Sequence, residues 1–95
     1  MSNMSDFDLD DFNMIDMTAK KVLEVLAEAN KGEFVKGEDI HKKTGLTPDE
    51  INESIRILKK SLFVVVPNAS EKLPHYDFYS VEITDFGREV LKKYR

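Results

Sequence analysis

The strongest constraint on the fold of this chain is four residues long. In Thr47-Pro48-Asp49-Glu50, a hydroxyl side chain stands where a helix cap is needed, proline follows at the first helical position, and glutamate lies three residues after the threonine. Threonine and glutamate at that spacing can each satisfy a backbone N–H of the other, and proline removes a donor that would have no helical partner. A helix must therefore begin at Pro48. Ile51, Ile55 and Leu58 share one of its faces, with Ile57 and Leu62 beside them, and the spacing predicts an end at Lys60 or Ser61. The opposite face then carries Asp49, Glu50, Asn52, Glu53, Arg56, Lys59 and Lys60.

Upstream, a short helix is expected from Gly37 or Glu38 to Thr44, with Ile40 inward and Gly45 as its stop. Its acids, Glu38 and Asp39, come first and its bases, Lys42 and Lys43, last, which suits the helix dipole. An earlier helix is expected over Thr18 to Asn30, capped by Thr18 and stopped by Asn30 and Gly32. Phe12, Ile15, Ala19, Val22, Leu26 and Ala29 alternate at spacings of three and four, an apolar seam at helical period. Between these helices Phe34-Val35 suggests a short strand or extended turn.

Downstream, Phe63 to Val66 is β-branched and aromatic and reads as a strand. A polar break at Pro67-Asn68-Ala69-Ser70 follows. Tyr76 to Ile83 reads as a second strand, with Phe78, Ser80 and Glu82 on one side and Tyr79, Val81 and Ile83 on the other. Thr84 is placed to cap a last helix in which Phe86, Val90, Leu91 and Tyr94 pack.

The 95 residues amount to one domain. At 41% hydrophobic and 34% charged residues, the composition belongs to soluble globular chains rather than disordered or membrane ones. Absence of cysteine excludes disulfides, thiolate metal sites and cysteine nucleophiles. No run approaches a membrane span and the N-terminus lacks the pattern of a signal peptide, so a cytoplasmic protein is expected. The net charge of −4 is unevenly spread: residues 1–16 hold five aspartates and no Lys or Arg. The other 79 residues carry 14 basic and 13 acidic side chains, a net charge of +1. The chain divides into an acidic leader over 1–16, partly disordered or extending the first helix, and a folded domain over 17–95.

The order helix, short strand, helix, glycine turn, helix, strand, loop, strand, helix resembles the winged helix-turn-helix superfamily, and in particular small archaeal and bacterial regulators of the MarR/PadR kind. Three stretches carry the likeness: Thr18-AKKVLEVLAEA, Glu38-DIHKKTGLTPDEINESIRILKKSLFV and Val81-EITDFGREVLKK. It covers residues 17–95. The expected fold is α+β and mostly α: a three-helix core, a two-stranded wing hairpin plus a short strand, and a C-terminal helix.

The resemblance implies a DNA-binding transcriptional regulator whose recognition helix is residues 48–60. In such proteins that helix enters the major groove. Arg56 is then placed for guanine and Asn52 for adenine, Glu53 can accept from cytosine, and Thr47 lies at the helix tip. Lys36, Lys42, Lys43, Lys59 and Lys60 are placed for phosphates, and Lys72 and His75 are the wing's cationic or protonatable groups. The three carboxylates at the front of the helix and the thin charge of the wing support the alternative, a winged-helix module that docks protein partners. A homodimer through Phe12, Ile15, Leu91 and Tyr94 is expected in the regulatory reading.

Lys42, Lys43, Lys59, Lys60, Lys92 and Lys93 read first as solvated, dipole-favoured helix ends, and His41 as a surface or boundary residue. Two distant histidines make a poor metal site. With no serine-histidine-aspartate set and no phosphate-cradling glycine loop, neither enzyme activity nor a cofactor is expected.

Overall fold

The computed structural model of the chain describes residues 17–30, 32–67 and 71–94. These form four helices and a two-stranded antiparallel sheet: α1 (Met17–Glu28), α2 (Gly37–Thr44), α3 (Pro48–Lys60), β1 (Val64–Val65), β2 (Glu82–Ile83) and α4 (Asp85–Tyr94). The protein is thus α+β and mostly helical. The leader lies outside the described residues.

α1 buries Ala19, Val22, Leu23 and Leu26, the stripe its periodicity predicts, and packs against α2, α3, α4 and β2. Thr18 sits inside this helix and does not cap it. The helix also stops earlier than Asn30. Its last carbonyls are claimed from the far end of the chain, where the Arg88 guanidinium donates to Ala27 O at 3.0 Å and Ala29 O at 2.9 Å. These two charge-assisted bonds add to the stop that the sequence suggested, where Gly32 lies in the left-handed region at φ 87°.

α2 and α3 follow their local signals closely. The Asp39 carboxylate accepts from the Lys36 N–H at 3.4 Å, and Gly45 ends α2 in the left-handed region at φ 76°. The Thr47 hydroxyl accepts from the Glu50 N–H at 3.2 Å, and the Glu50 carboxylate accepts from the Thr47 N–H at 2.9 Å. The capping box is therefore complete, and it stabilises α3 by about 1 kcal/mol. Ile51, Ser54, Ile55 and Leu58 are the buried face of α3.

No glycine follows α3, so its exit is made by Leu62 at φ 66°. The Leu62 N–H donates to Lys59 O at 3.1 Å and the Phe63 N–H to Leu58 O at 2.9 Å. These are the paired bonds of a Schellman turn, with leucine in the position glycine prefers. That geometry turns Leu62 outward, 67% exposed, and removes it from the apolar face of α3 where its spacing had suggested it belonged.

The sheet is shorter than the sequence suggests. Val64 pairs with Ile83 and Val65 with Glu82, and a single antiparallel bridge joins Val35 to Val81 with both N–H···O distances at 2.8 Å. Residues 76–80 form no strand. Strict alternation fails there because Phe78, Ser80, Val81 and Ile83 are all buried. The segment is held by side chains instead: the Tyr76 ring lies against Gly37 at the start of α2 and 5.8 Å from the Phe78 ring.

Thr84 does cap α4. Its hydroxyl accepts from the Gly87 N–H at 2.9 Å and donates to Leu62 O at 2.9 Å. Gly87 is required by close approach rather than by its dihedral angles, since a Cβ there would stand 2.4 Å from Phe63 O. Val90 and Leu91 complete the core, and Phe86 packs on Phe63 with ring centroids 5.4 Å apart. No described helix is long and apolar enough to cross a membrane.

Candidate functional site

The exposed side of α3 is the place to look, because the sequence concentrates ionisable groups there without burying any of them. Asp49, Glu50, Glu53, Arg56, Lys59 and Lys60 are all solvent-exposed, and Asn52 is half-buried. Most of the front residues are already engaged within the chain. Thr47 and Glu50 hold each other in the capping box. Glu53 and Arg56 form a two-point ion pair: the Arg56 Nε donates to Glu53 Oε1 at 3.2 Å, and its Nη2 to Glu53 Oε2. Both side chains are more than half exposed, so the pair stabilises the helix by no more than about 0.5 kcal/mol. It does, however, neutralise the carboxylate and occupy the guanidinium fork.

Asn52 is engaged more firmly. Its Nδ2 donates to His75 O at 3.1 Å and its Oδ1 accepts from the Asp77 N–H at 2.9 Å. A carbonyl on one side and an N–H on the other fix the orientation of the amide, since a flip would set donor against donor. Both edges of Asn52 are thus used to tie α3 to the connection that leads into β2. His75 lies in that connection at φ 74°, exposed, within a turn closed by the Tyr76 N–H to Leu73 O at 3.1 Å.

The rear of α3 is different. Arg56, Lys59 and Lys60 surround one shallow depression. Arg56 and Lys59 also border a hollow of about 190 Å³ that reaches Asn52, Val66 and Asp77 across the gap to the connection. The structure therefore brings Asn52, Glu53, Arg56, Lys59 and Lys60 together and links His75 to them through Asn52.

It does not bring the remaining cations to this face. Lys42 and Lys43 line a separate hollow of about 480 Å³, between α1 and α2, together with Glu28, Glu33, Asp39 and Phe34. There Lys43 approaches Glu28 at 3.6 Å. Lys36 sits 5.1 Å above the Tyr79 ring, a cation–π contact. Lys72 is exposed beside an exposed Glu71.

His41 and His75, remote in sequence, meet at a third hollow of about 420 Å³ that also touches Glu38 and Tyr76. The His41 Nδ1 lies 2.6 Å from Leu46 O and must donate, because a carbonyl only accepts. Burial, and then the Glu38 charge, raise the Tyr76 hydroxyl above its ordinary value. Among the described residues, no three His, Cys, Asp or Glu side chains are placed to hold a metal.

The expected dimer surface is reduced. Leu91 is buried in the chain's own core, which leaves little of its surface for a second copy. Phe12, Ile15 and the Tyr94 side chain lie outside the described residues. The residues missed by sequence reasoning are apolar ones: Leu62 and Val65 are exposed at 67% and 47%, directly after the basic end of α3. The absence of a glycine after Lys60 was the available signal for Leu62. No family model, curated protein or solved structure matches this chain.

Proposed function

We propose that the chain is a winged helix-turn-helix protein that binds duplex DNA, in the manner of a transcriptional regulator. In this reading α2, the Gly45 turn and α3 are the helix-turn-helix, and the connection from Val66 to Val81 is the wing. The observation that carries it is the grouping of Arg56, Lys59 and Lys60 around one depression on the exposed side of α3. Element order supports the same assignment: α1, the Val35 bridge, α2, α3, β1, β2 and α4 follow one another as that architecture requires.

The mode of contact follows from which groups are engaged. Lys59 and Lys60 are exposed cations suited to phosphates. Arg56 can join them by exchanging Glu53 for a phosphate, which offers the same two-point geometry. Asn52 holds the wing and is not set to read adenine. Binding is therefore governed by the phosphate backbone, with little base readout.

Fluorescence anisotropy with a labelled duplex tests this. Three phosphate contacts give a slope of log K against log salt of about −2.7, or roughly 40-fold weaker binding from 50 to 200 mM salt. Arg56→Ala, Lys59→Ala and Lys60→Ala should each flatten the slope by about one unit. No binding of any duplex at 50 mM salt overturns the proposal.

A second reading, docking of a protein partner, is favoured by one specific observation. Leu62 and Val65 are exposed just after the same cations in the chain, and phosphate recognition has no use for them. Capture of a partner that survives nuclease treatment and is lost on Leu62→Asp separates this reading from the first.

A further inference from the structure

The segment from Arg56 to Val65 presents cations and exposed apolar side chains together: Arg56, Lys59 and Lys60, then Leu62 and Val65. A surface of that mixed character selects a ligand that is both anionic and apolar. The chain carries such a sequence itself. Asp6-Phe7-Asp8-Leu9-Asp10 alternates carboxylate and large apolar residues, Asp11-Phe12 follows, and no Lys or Arg appears before Lys20. In an extended segment the alternation would set Asp6, Asp8 and Asp10 on one side and Phe7 and Leu9 on the other, until Asp10-Asp11 breaks it.

From this double complementarity we propose that residues 6–12 of the same chain dock on the Arg56–Val65 face and compete there with other anionic ligands. Leu9 lies eight residues before Met17, a span of up to about 27 Å for extended chain. The molecule measures 44 × 23 × 22 Å along its principal axes, so that span matches its two shorter dimensions. The carboxylates sit against Arg56, Lys59 and Lys60, and Phe7 and Leu9 cover Leu62 and Val65. Docking of this kind explains the apolar exposure that DNA binding leaves unexplained. The docking itself needs no nucleic acid; its consequence for duplex affinity rests on the function proposed above.

The absence of native cysteine makes the test clean, because Ser5→Cys in the full chain takes a nitroxide at one position. Amide signals of residues 56–66 should lose intensity in the labelled chain and recover when the nitroxide is reduced. The loss should disappear in a chain that also carries Asp6→Asn, Asp8→Asn, Asp10→Asn and Asp11→Asn. Broadening confined to another face, or unchanged by charge removal, overturns the proposal. Mixing isotope-labelled wild type with unlabelled nitroxide chain reports the alternative occupant: broadening in that mixture assigns the contact to a second copy and overturns docking within one chain.

Anisotropy with duplex at 50 mM salt forms the second arm. The four-Asn chain should bind several-fold more tightly than wild type. Docking seen by nitroxide with no duplex bound by either chain removes the DNA function and leaves the docking intact. Duplex binding with no broadening over 56–66 does the reverse.

Discussion

Gly87→Ala pits two well-known effects against each other, and the structure predicts which one wins. Gly87 is the third residue of α4, and by helix propensity alone alanine stabilises such a position by up to about 1 kcal/mol. The added methyl, however, would lie 2.4 Å from Phe63 O, 3.0 Å from Ile83 Cγ1 and 3.1 Å from Phe63 C. Two of those three atoms are backbone, so no rotamer change relieves the contact. α4 must move by nearly 1 Å relative to the strand entry. Phe63 O accepts the Thr84 N–H at 2.9 Å, and the Thr84 hydroxyl both donates to Leu62 O and accepts from the Gly87 N–H. Movement therefore loosens the cap of α4 as well as the packing of Phe86 on Phe63. Overpacking costs about 1–3 kcal/mol and a weakened cap about 1 kcal/mol. Set against the propensity gain, the net loss is about 2 kcal/mol. Urea unfolding followed by circular dichroism reads it directly, as a lower midpoint at unchanged m. Gly45→Ala is the comparison: its Cβ would meet nothing within 4 Å, so the left-handed φ of 76° alone sets its loss, about 1 kcal/mol. A Gly87→Ala protein that equals or exceeds wild type in stability refutes the close-approach argument.

Two other contacts between distant parts of the chain make similar claims. Arg88→Ala removes both donors to the α1 carbonyls and should cost about 2–3 kcal/mol, with Arg88→Lys recovering less than half, because one ammonium lacks the fork; thermal melts of the three proteins should rank wild type, lysine, alanine. Asn52→Ala should cost only about 1–2 kcal/mol, since its two bonds are exposed, but hydrogen exchange at the Asp77 amide should lose its protection while the amides of the α3 interior keep theirs.

What could be read in the sequence was local. The capping box at Thr47, the glycine stop at Gly45, the Thr84 cap and the apolar stripe of α1 depend on residues within one or two turns of each other. All four are present. The misreadings share a different cause. The Tyr76–Ile83 alternation looked like a strand because period two was the only information available there. The segment is in fact fixed by Asn52, 23 and 25 residues away, and by the contact of Tyr76 with Gly37. Arg88 carried no sequence signal, because its partners precede it by 59 and 61 residues. The candidate site divided in the same way. Helical period sorted Asn52, Glu53, Arg56, Lys59 and Lys60 correctly onto one face of α3. It could not show that Lys42 and Lys43 belong to an acid-lined hollow elsewhere, that Lys36 sits over Tyr79, or that Leu91 is buried.

The front of α3 bears on the proposed function in a way that neither its charge nor its residue types suggest alone. Three carboxylates near a phosphate backbone look prohibitive. Yet Glu50 is held by the capping box and Glu53 is paired with Arg56, which leaves Asp49 as the acid of this set without such an engagement. The pairings that lessen the repulsion also engage the means of reading bases, because Arg56 and Asn52 are the side chains whose geometry suits guanine and adenine. Each bidentate base contact is worth about 1–3 kcal/mol of discrimination, so a helix that makes neither of the two forgoes roughly 30- to 2 × 10⁴-fold of preference for a specific site. Glu53→Gln separates the two effects. It frees the Arg56 fork while keeping the shape of Glu53, and the consequence depends on where that fork then goes. If Arg56 turns to a phosphate, affinity rises equally for all duplexes; if it turns to a guanine, affinity rises for some sequences only. A uniform gain is the outcome expected if, as proposed, Lys59 and Lys60 hold the rear half of the helix to the phosphate backbone.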